Sequence, residues 1–155
     1  MTLSIIKEER EQIKKETELF FEAMTFGLNE IEIKGEESSL MISVTINNPK
    51  IVIGERGKTL SEIQHLLRIL IKKRINQVLF IELDINNYKG KKKEMLNDVA
   101  KDIADEVIFY KKEKILPQMN PYERRIIHLA LKDRKEVKTE SIGEGLERRI
   151  VIKPS

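Results

Sequence analysis

Apolar residues along the first half of the chain change period several times, and each change marks an element. Within residues 4–25, Ile6, Ile13, Phe20, Phe21 and Met24 recur at helical spacing among charges, which predicts an amphipathic helix ended by Gly27. From 30 to 34 and from 40 to 46 the period drops to two. Ile31 and Ile33 alternate with Glu32 and Lys34, and Leu40, Ile42, Val44 and Ile46 with Met41, Ser43 and Thr45. That pattern predicts two strands joined as a hairpin through Gly35-Glu36-Glu37-Ser38-Ser39. After Asn47-Asn48-Pro49 a short apolar stretch, Ile51-Val52-Ile53, leads into Gly54-Glu55-Arg56-Gly57. Leu60, Ile63, Leu66, Leu67, Leu70 and Ile71 then restore spacings of three and four over 59–75, a helix, and 78–85 is rich in β-formers, a strand.

The second half opens with another long amphipathic helix, expected over 91–114, with Leu96, Val99, Ile103, Val107 and Tyr110 on one stripe. Its approach through Asn86-Asn87-Tyr88-Lys89-Gly90 suggests a boundary between a first domain, 1–86, and a second, 87–155. The start of the next helix, 121–132, is written in its capping chemistry. Asn120 suits the N-cap, Pro121 the first helical position, where no amide hydrogen is needed, and Glu123 completes a capping box. Residues 137–142 and 147–152, joined around Gly143-Glu144-Gly145, predict a closing hairpin. The fold class expected from this succession is α+β, in two small domains.

Composition narrows the functions. With 155 residues, 40% apolar and 35% charged, the chain can fold as two units of roughly 70 to 80 residues, each with a modest core. There is no run of eighteen apolar residues, and the N-terminus turns charged at Lys7-Glu8-Glu9-Arg10, so neither export nor membrane insertion is expected and the cytoplasm is the expected location. The chain has no cysteine, hence no disulfide and no thiolate metal site, and its two histidines, His65 and His128, are far apart. No metal or other cofactor is expected. His65 lies within the apolar run of its helix and is expected to pack. The net charge of +3 is unevenly spread: residues 1–49 hold 5 basic and 10 acidic side chains, residues 50–76 hold 7 and 2, and residues 77–155 hold 17 and 14. A basic island around the glycine loop is either a solvated face or a footprint for phosphate.

Glycines at 54 and 57 allow backbone angles closed to other residues and remove the Cβ that would hold a ligand away. The loop also feeds the N-terminus of helix 59–75, whose amide hydrogens favour anions, beside Arg56 and Lys58. On its own the spacing is equally that of a tight turn. A nucleotide-binding P-loop is the rival, but its first glycine would fall on Val52. With Ile51-Val52-Ile53 before it, and a helix and strand after, the loop resembles that of the KH family, and the element order resembles the type II KH fold. That resemblance implies a clamp on single-stranded nucleic acid, with Ile51, Ile53, Leu60, Ile63 and Leu67 in the groove or in the core beneath it. Glu55 departs from the pattern, since an acidic tip repels phosphate.

Arg124 and His128 lie one helical turn apart, with Arg125 beside them. Together with Asn120-Pro121-Tyr122-Glu123, Thr139-Glu140-Ser141, Gly143-Glu144-Gly145 and Arg148-Arg149-Ile150-Val151-Ile152-Lys153-Pro154, they resemble the Arg-x3-His domain, a single-stranded nucleic-acid-binding module. A KH domain followed by this module is similar to the bacterial Jag family, also called KhpB, over about residues 15–154. Many members carry an extra N-terminal domain, which is not expected here.

The resemblance implies an RNA-binding protein, a post-transcriptional regulator or RNA chaperone, without catalytic activity. Its contacts would be Gly54, Glu55, Arg56, Gly57, Lys58, Arg124, Arg125, His128, Arg148 and Arg149. Alternatively, Arg124 pairs with Glu123 or Glu144 and His128 supports the fold. Arg148, Arg149 and Lys153 cannot all share a surface with Arg124, because neighbours in a strand point to opposite faces. Lys89, Lys91, Lys92 and Lys93 suit a solvated helix start. Tyr88 and Tyr122 are the aromatic residues placed for contact, so stacking is expected to matter less than backbone clamping. Candidate partners are single-stranded RNA or DNA and a second KH protein or second copy. The alternative function is a protein-interaction adaptor on the same scaffold.

Overall fold

The computed structural model describes residues 7–36, 39–75 and 79–155. Ile6, Glu37 and Ser38 of the expected hairpin turn, and Val78 lie outside those residues. The chain divides into two compact units, Met1–Lys89 and Gly90–Ser155.

In the first unit α1 (Lys7–Ala23) buries Ile13, Thr17 and Phe21, one turn apart, and the Thr17 hydroxyl donates to the Ile13 carbonyl at 2.7 Å. β1 (Leu28–Glu36) and β2 (Ser39–Ile46) pair antiparallel, and β2 pairs in parallel with β3 (Phe80–Ile85), giving the order β1-β2-β3. Leu40, Ile42, Val44 and Ile46 are buried, as the alternation requires. Asn86 continues the parallel pairing past the end of β3: its side-chain amide accepts from Ile46 N and donates to Ile46 O, both at 3.0 Å.

The apolar stretch before the glycine loop is a short helix, α2 (Pro49–Ile53), started by Pro49 at its first position. α3 (Lys58–Ile75) buries Leu60, Ile63, Leu67 and Ile71. Leu60, Ile63 and Leu67 are therefore core, while Ile51 is 67% exposed. His65 does not pack, contrary to expectation: it falls between the buried positions of α3 and is exposed. Leu66, Ile69 and Leu70 are exposed on the same helix, which carries more apolar residues than its sheet covers. Two α3 side chains close the open edge of β3. Gln64 Oε1 accepts from Leu83 N at 2.8 Å, and Arg68 Nε donates to Ile81 O at 2.6 Å.

The second unit continues α4 (Tyr88–Tyr110), whose inward stripe is Leu96, Ala100, Ala104 and Val107. The helix expected over 91–114 stops short of its predicted end. Lys111 takes φ 54, in the left-handed region, and the chain turns into β4 (Lys114–Gln118), a strand that periodicity did not announce. Because the core beneath the stripe ends at Val107, Tyr110 is 63% exposed instead of buried. α5 (Pro121–Leu131) starts with both arms of the predicted capping box: Glu123 N donates to Asn120 Oδ1 at 2.9 Å and Asn120 N to Glu123 Oε2 at 3.0 Å. β5 (Val137–Ile142) and β6 (Arg149–Pro154) pair antiparallel, with β4 on the other side of β6. Residues 145–147 wind into a 3-10 turn, so β6 begins later than the expected 147. Among the described residues no helix is long and apolar enough to cross a membrane.

Candidate nucleic-acid interface

The glycine loop stands between α2 and α3 as a single 3-10 turn, Glu55–Gly57. Gly54 takes φ 71 and ψ −175, and a Cβ there would run into Thr59, whose Cβ would lie at 2.6 Å. A Cβ on Gly57, at φ 80, would lie 3.0 Å from Tyr88 Cε1. The room left by the missing side chains is thus filled by Thr59 and Tyr88, which brace the turn from behind. Three of the loop's amides are also taken: Gly54 N donates to Lys50 O at 2.9 Å, Gly57 N to Gly54 O at 3.4 Å, and Lys58 N to Glu55 O. What the loop presents outward is therefore its tip. Glu55, Arg56 and Lys58 are exposed, Gly54 and Gly57 half-buried, and Arg56 itself is left-handed at φ 53.

In the second unit, Arg124 makes neither of the pairings that would tie up its charge. Its Nη1 donates to the Met119 carbonyl at 2.6 Å. Glu123, 5% exposed, is engaged by the cap and by Lys92 Nζ at 3.0 Å. No ion pair among the described residues involves Arg124, Arg125 or Arg148. His128, half-buried, shares a 2.7 Å hydrogen bond between its Nδ1 and Thr139 Oγ1. Its pKa is held below the ordinary imidazole value, first by burial and then by the charge of Arg124. A neutral imidazole beside a guanidinium is the expected result.

Thr139 and Ser141 are two apart on β5 and share one face. The first holds His128 and the second accepts from Arg148 Nε at 3.1 Å. Met119 joins the same group, since its carbonyl takes Arg124 and its amide donates to Arg148 O at 3.1 Å. Arg124, His128 and Arg148 are thereby gathered, with Arg125 exposed on α5. Arg149 is not gathered with them. Its Nη2 pairs with Glu147 Oε2 at 2.8 Å and its Nε donates to Glu147 O at 3.0 Å, so it fastens the turn before β6. Of the lysines near the start of α4, Lys89 pairs with Glu82 and Lys92 with Glu123, while Lys91 and Lys93 are exposed. Sequence reasoning did not single out Thr139, Ser141 or Met119 as supports. The alternation within 137–142 does put the two hydroxyls on one face, whereas the role of a backbone carbonyl carries no letter. Among the described residues no group of three His, Cys, Asp or Glu side chains could hold a metal ion.

Residues 94–154 match the Arg-x3-His domain family, and the match covers α5 with its Arg124 and His128. The RNA-binding protein KhpB of Clostridium symbiosum is 37% identical over 136 residues, 87% of this chain and 61% of that protein. KhpB of Bacillus subtilis (strain 168) is 31% identical over 128 residues, 81% of this chain and 62% of that protein. KhpB of Lactiplantibacillus plantarum is 28% identical over 102 residues, 66% of this chain and 32% of that protein. The chain thus spans less than two thirds of the length of the curated relatives it matches. Over the span that it shares with them, the chain is similar to the Jag/KhpB family.

Proposed function

We propose that this chain is a noncatalytic, cytoplasmic binder of single-stranded RNA, gripping the backbone with the tip of the 54–58 loop in a type II KH domain and with the cations of α5 in the Arg-x3-His domain. The observation that carries this reading is the state of Arg124. A structural arginine would spend its charge on a carboxylate such as Glu123 or Glu144. Here Glu123 is occupied by the cap and by Lys92, and Arg124 is positioned by a neutral carbonyl. Its charge is left available to a phosphate, with Arg125 and Arg148 beside it in sequence or in space. Support for the KH assignment comes from the order helix, two strands, glycine turn, helix, strand, with β2 and β3 parallel. The relatives are named as RNA-binding proteins, and post-transcriptional regulation or RNA chaperoning is the process this reading favours.

The test is a salt titration of affinity for a single-stranded RNA oligomer. Log affinity is expected to fall linearly against log salt, with a slope of about −0.7 for each phosphate neutralised. Binding that is absent, or indifferent to salt, overturns the reading. It would leave the exposed Leu66, Ile69 and Leu70 of α3 as the surface to explain, and with them the adaptor function and a contact with a second KH protein or second copy.

A further inference from the structure

The last turn of α4 ends on two aromatic rings that the second core does not cover. Phe109 is 77% exposed and Tyr110 63%, with ring centroids 4.9 Å apart and planes at 85°. In an edge-to-face pair each ring fixes the orientation of the other, and exposures this large leave ring faces in solvent. Aromatic rings side by side on a surface mark a contact site more often than scaffold, because burying them elsewhere would stabilise the fold.

The charges around the rings point to the kind of partner. Lys111 and Lys112 follow directly, both exposed, and no ion pair among the described residues involves either. Two nearby acidic side chains are engaged elsewhere: Glu106 holds Lys114 at 2.7 Å and Asp105 holds Arg134 at 2.6 Å, while Glu113 is exposed. An aliphatic protein surface would gain nothing from the lysines. A nucleotide offers a flat π face together with a phosphate, and so matches both features.

We infer that Phe109 and Tyr110 form a stacking platform for an unpaired base, with Lys111 and Lys112 meeting the adjoining phosphate. The inference rests on the RNA-binding reading and adds a contact that the Arg-x3-His spacing does not include. It also makes base stacking a larger part of recognition than Tyr88 and Tyr122 alone would allow.

Fluorescence anisotropy of the full chain with labelled oligoadenylate and oligouridylate tests it. Phe109→Leu keeps an apolar side chain of similar size and removes the ring. Both Phe109→Leu and Tyr110→Ala are expected to weaken oligoadenylate binding about 5- to 150-fold, the scale of one lost base stack. The loss on oligouridylate is smaller, because a pyrimidine covers less of the ring, and the salt slope is unchanged. Lys111→Ala with Lys112→Ala, in contrast, makes the slope shallower. If wild-type chain binds both oligomers and neither ring variant weakens binding more than twofold, the platform is wrong while RNA binding stands. If wild-type chain binds neither, the RNA reading fails and the platform with it.

Discussion

Replacing Glu55 and Arg56 together with aspartate is expected to leave the first unit folded and to remove most of the affinity for single-stranded RNA. Both side chains are exposed, and neither α2 nor α3 buries them. The turn itself is held by Gly54, Gly57 and Lys58 amides and by the packing of Thr59 and Tyr88 into the glycine positions, none of which the substitution touches. Aspartate also tolerates the left-handed angles of residue 56 better than most residues. The change reverses one charge at the tip and keeps the other negative, so a phosphate meets two carboxylates instead of one. Losing a charge-assisted hydrogen bond costs about 1.5 to 3 kcal/mol, a 10- to 150-fold drop, before the added repulsion is counted. Anisotropy titration against single-stranded RNA, with thermal unfolding alongside, reads both halves of the expectation. An unchanged affinity would remove the loop from the interface.

Arg124→Ala is expected to weaken RNA binding by about 1 to 3 kcal/mol, from the upper range of an ordinary hydrogen bond to that of one involving a charged group. The substitution also removes the bond to the Met119 carbonyl, so a modest fall in thermal stability accompanies it; a fall in stability with no loss of affinity would make Arg124 a scaffold residue. His128 supplies a second readout. Burial and the Arg124 charge hold its pKa below the ordinary 6.5, so the folded state favours the neutral ring. The stability this contributes is fully present above the unfolded value and is lost as pH falls through the folded one. Removing Arg124 takes away the lesser of the two causes. The His128 pKa, followed by NMR, therefore rises part of the way back, and the acid-side loss of stability shrinks.

The elements with strong local signals were legible in the sequence. Alternation placed Leu40, Ile42, Val44 and Ile46 inside, and Asn120-Pro121 with Glu123 fixed the start of α5 because a capping box is written in a few neighbouring positions and their spacing. Periodicity was less informative about where a core stops. It assigned His65 and Tyr110 to packed faces, yet α3 has apolar residues on more sides than its sheet covers and the second core ends at Val107. β4 escaped notice because Lys114-Ile115-Leu116-Pro117-Gln118 is short, contains a proline and is ordered by pairing with β6, a partner distant in sequence.

The candidate site shows the same division. The letters of the glycine loop and of Arg124 and His128 were visible in the sequence. What occupies the space behind the glycines, which amides remain for a ligand, and whether Arg124 or Arg149 takes a carboxylate are tertiary matters. They depend on Tyr88, Met119, Lys92 and Glu147, and no spacing rule connects those residues to the motifs.

Hydrogen exchange of the full chain, free and saturated with a single-stranded RNA oligomer, tests the two-surface grip most directly. Slower exchange is predicted at the backbone of residues 55–58 and in the segments carrying Arg124, His128 and Arg148. Saturated RNA with both regions exchanging as they do in the free chain would contradict it.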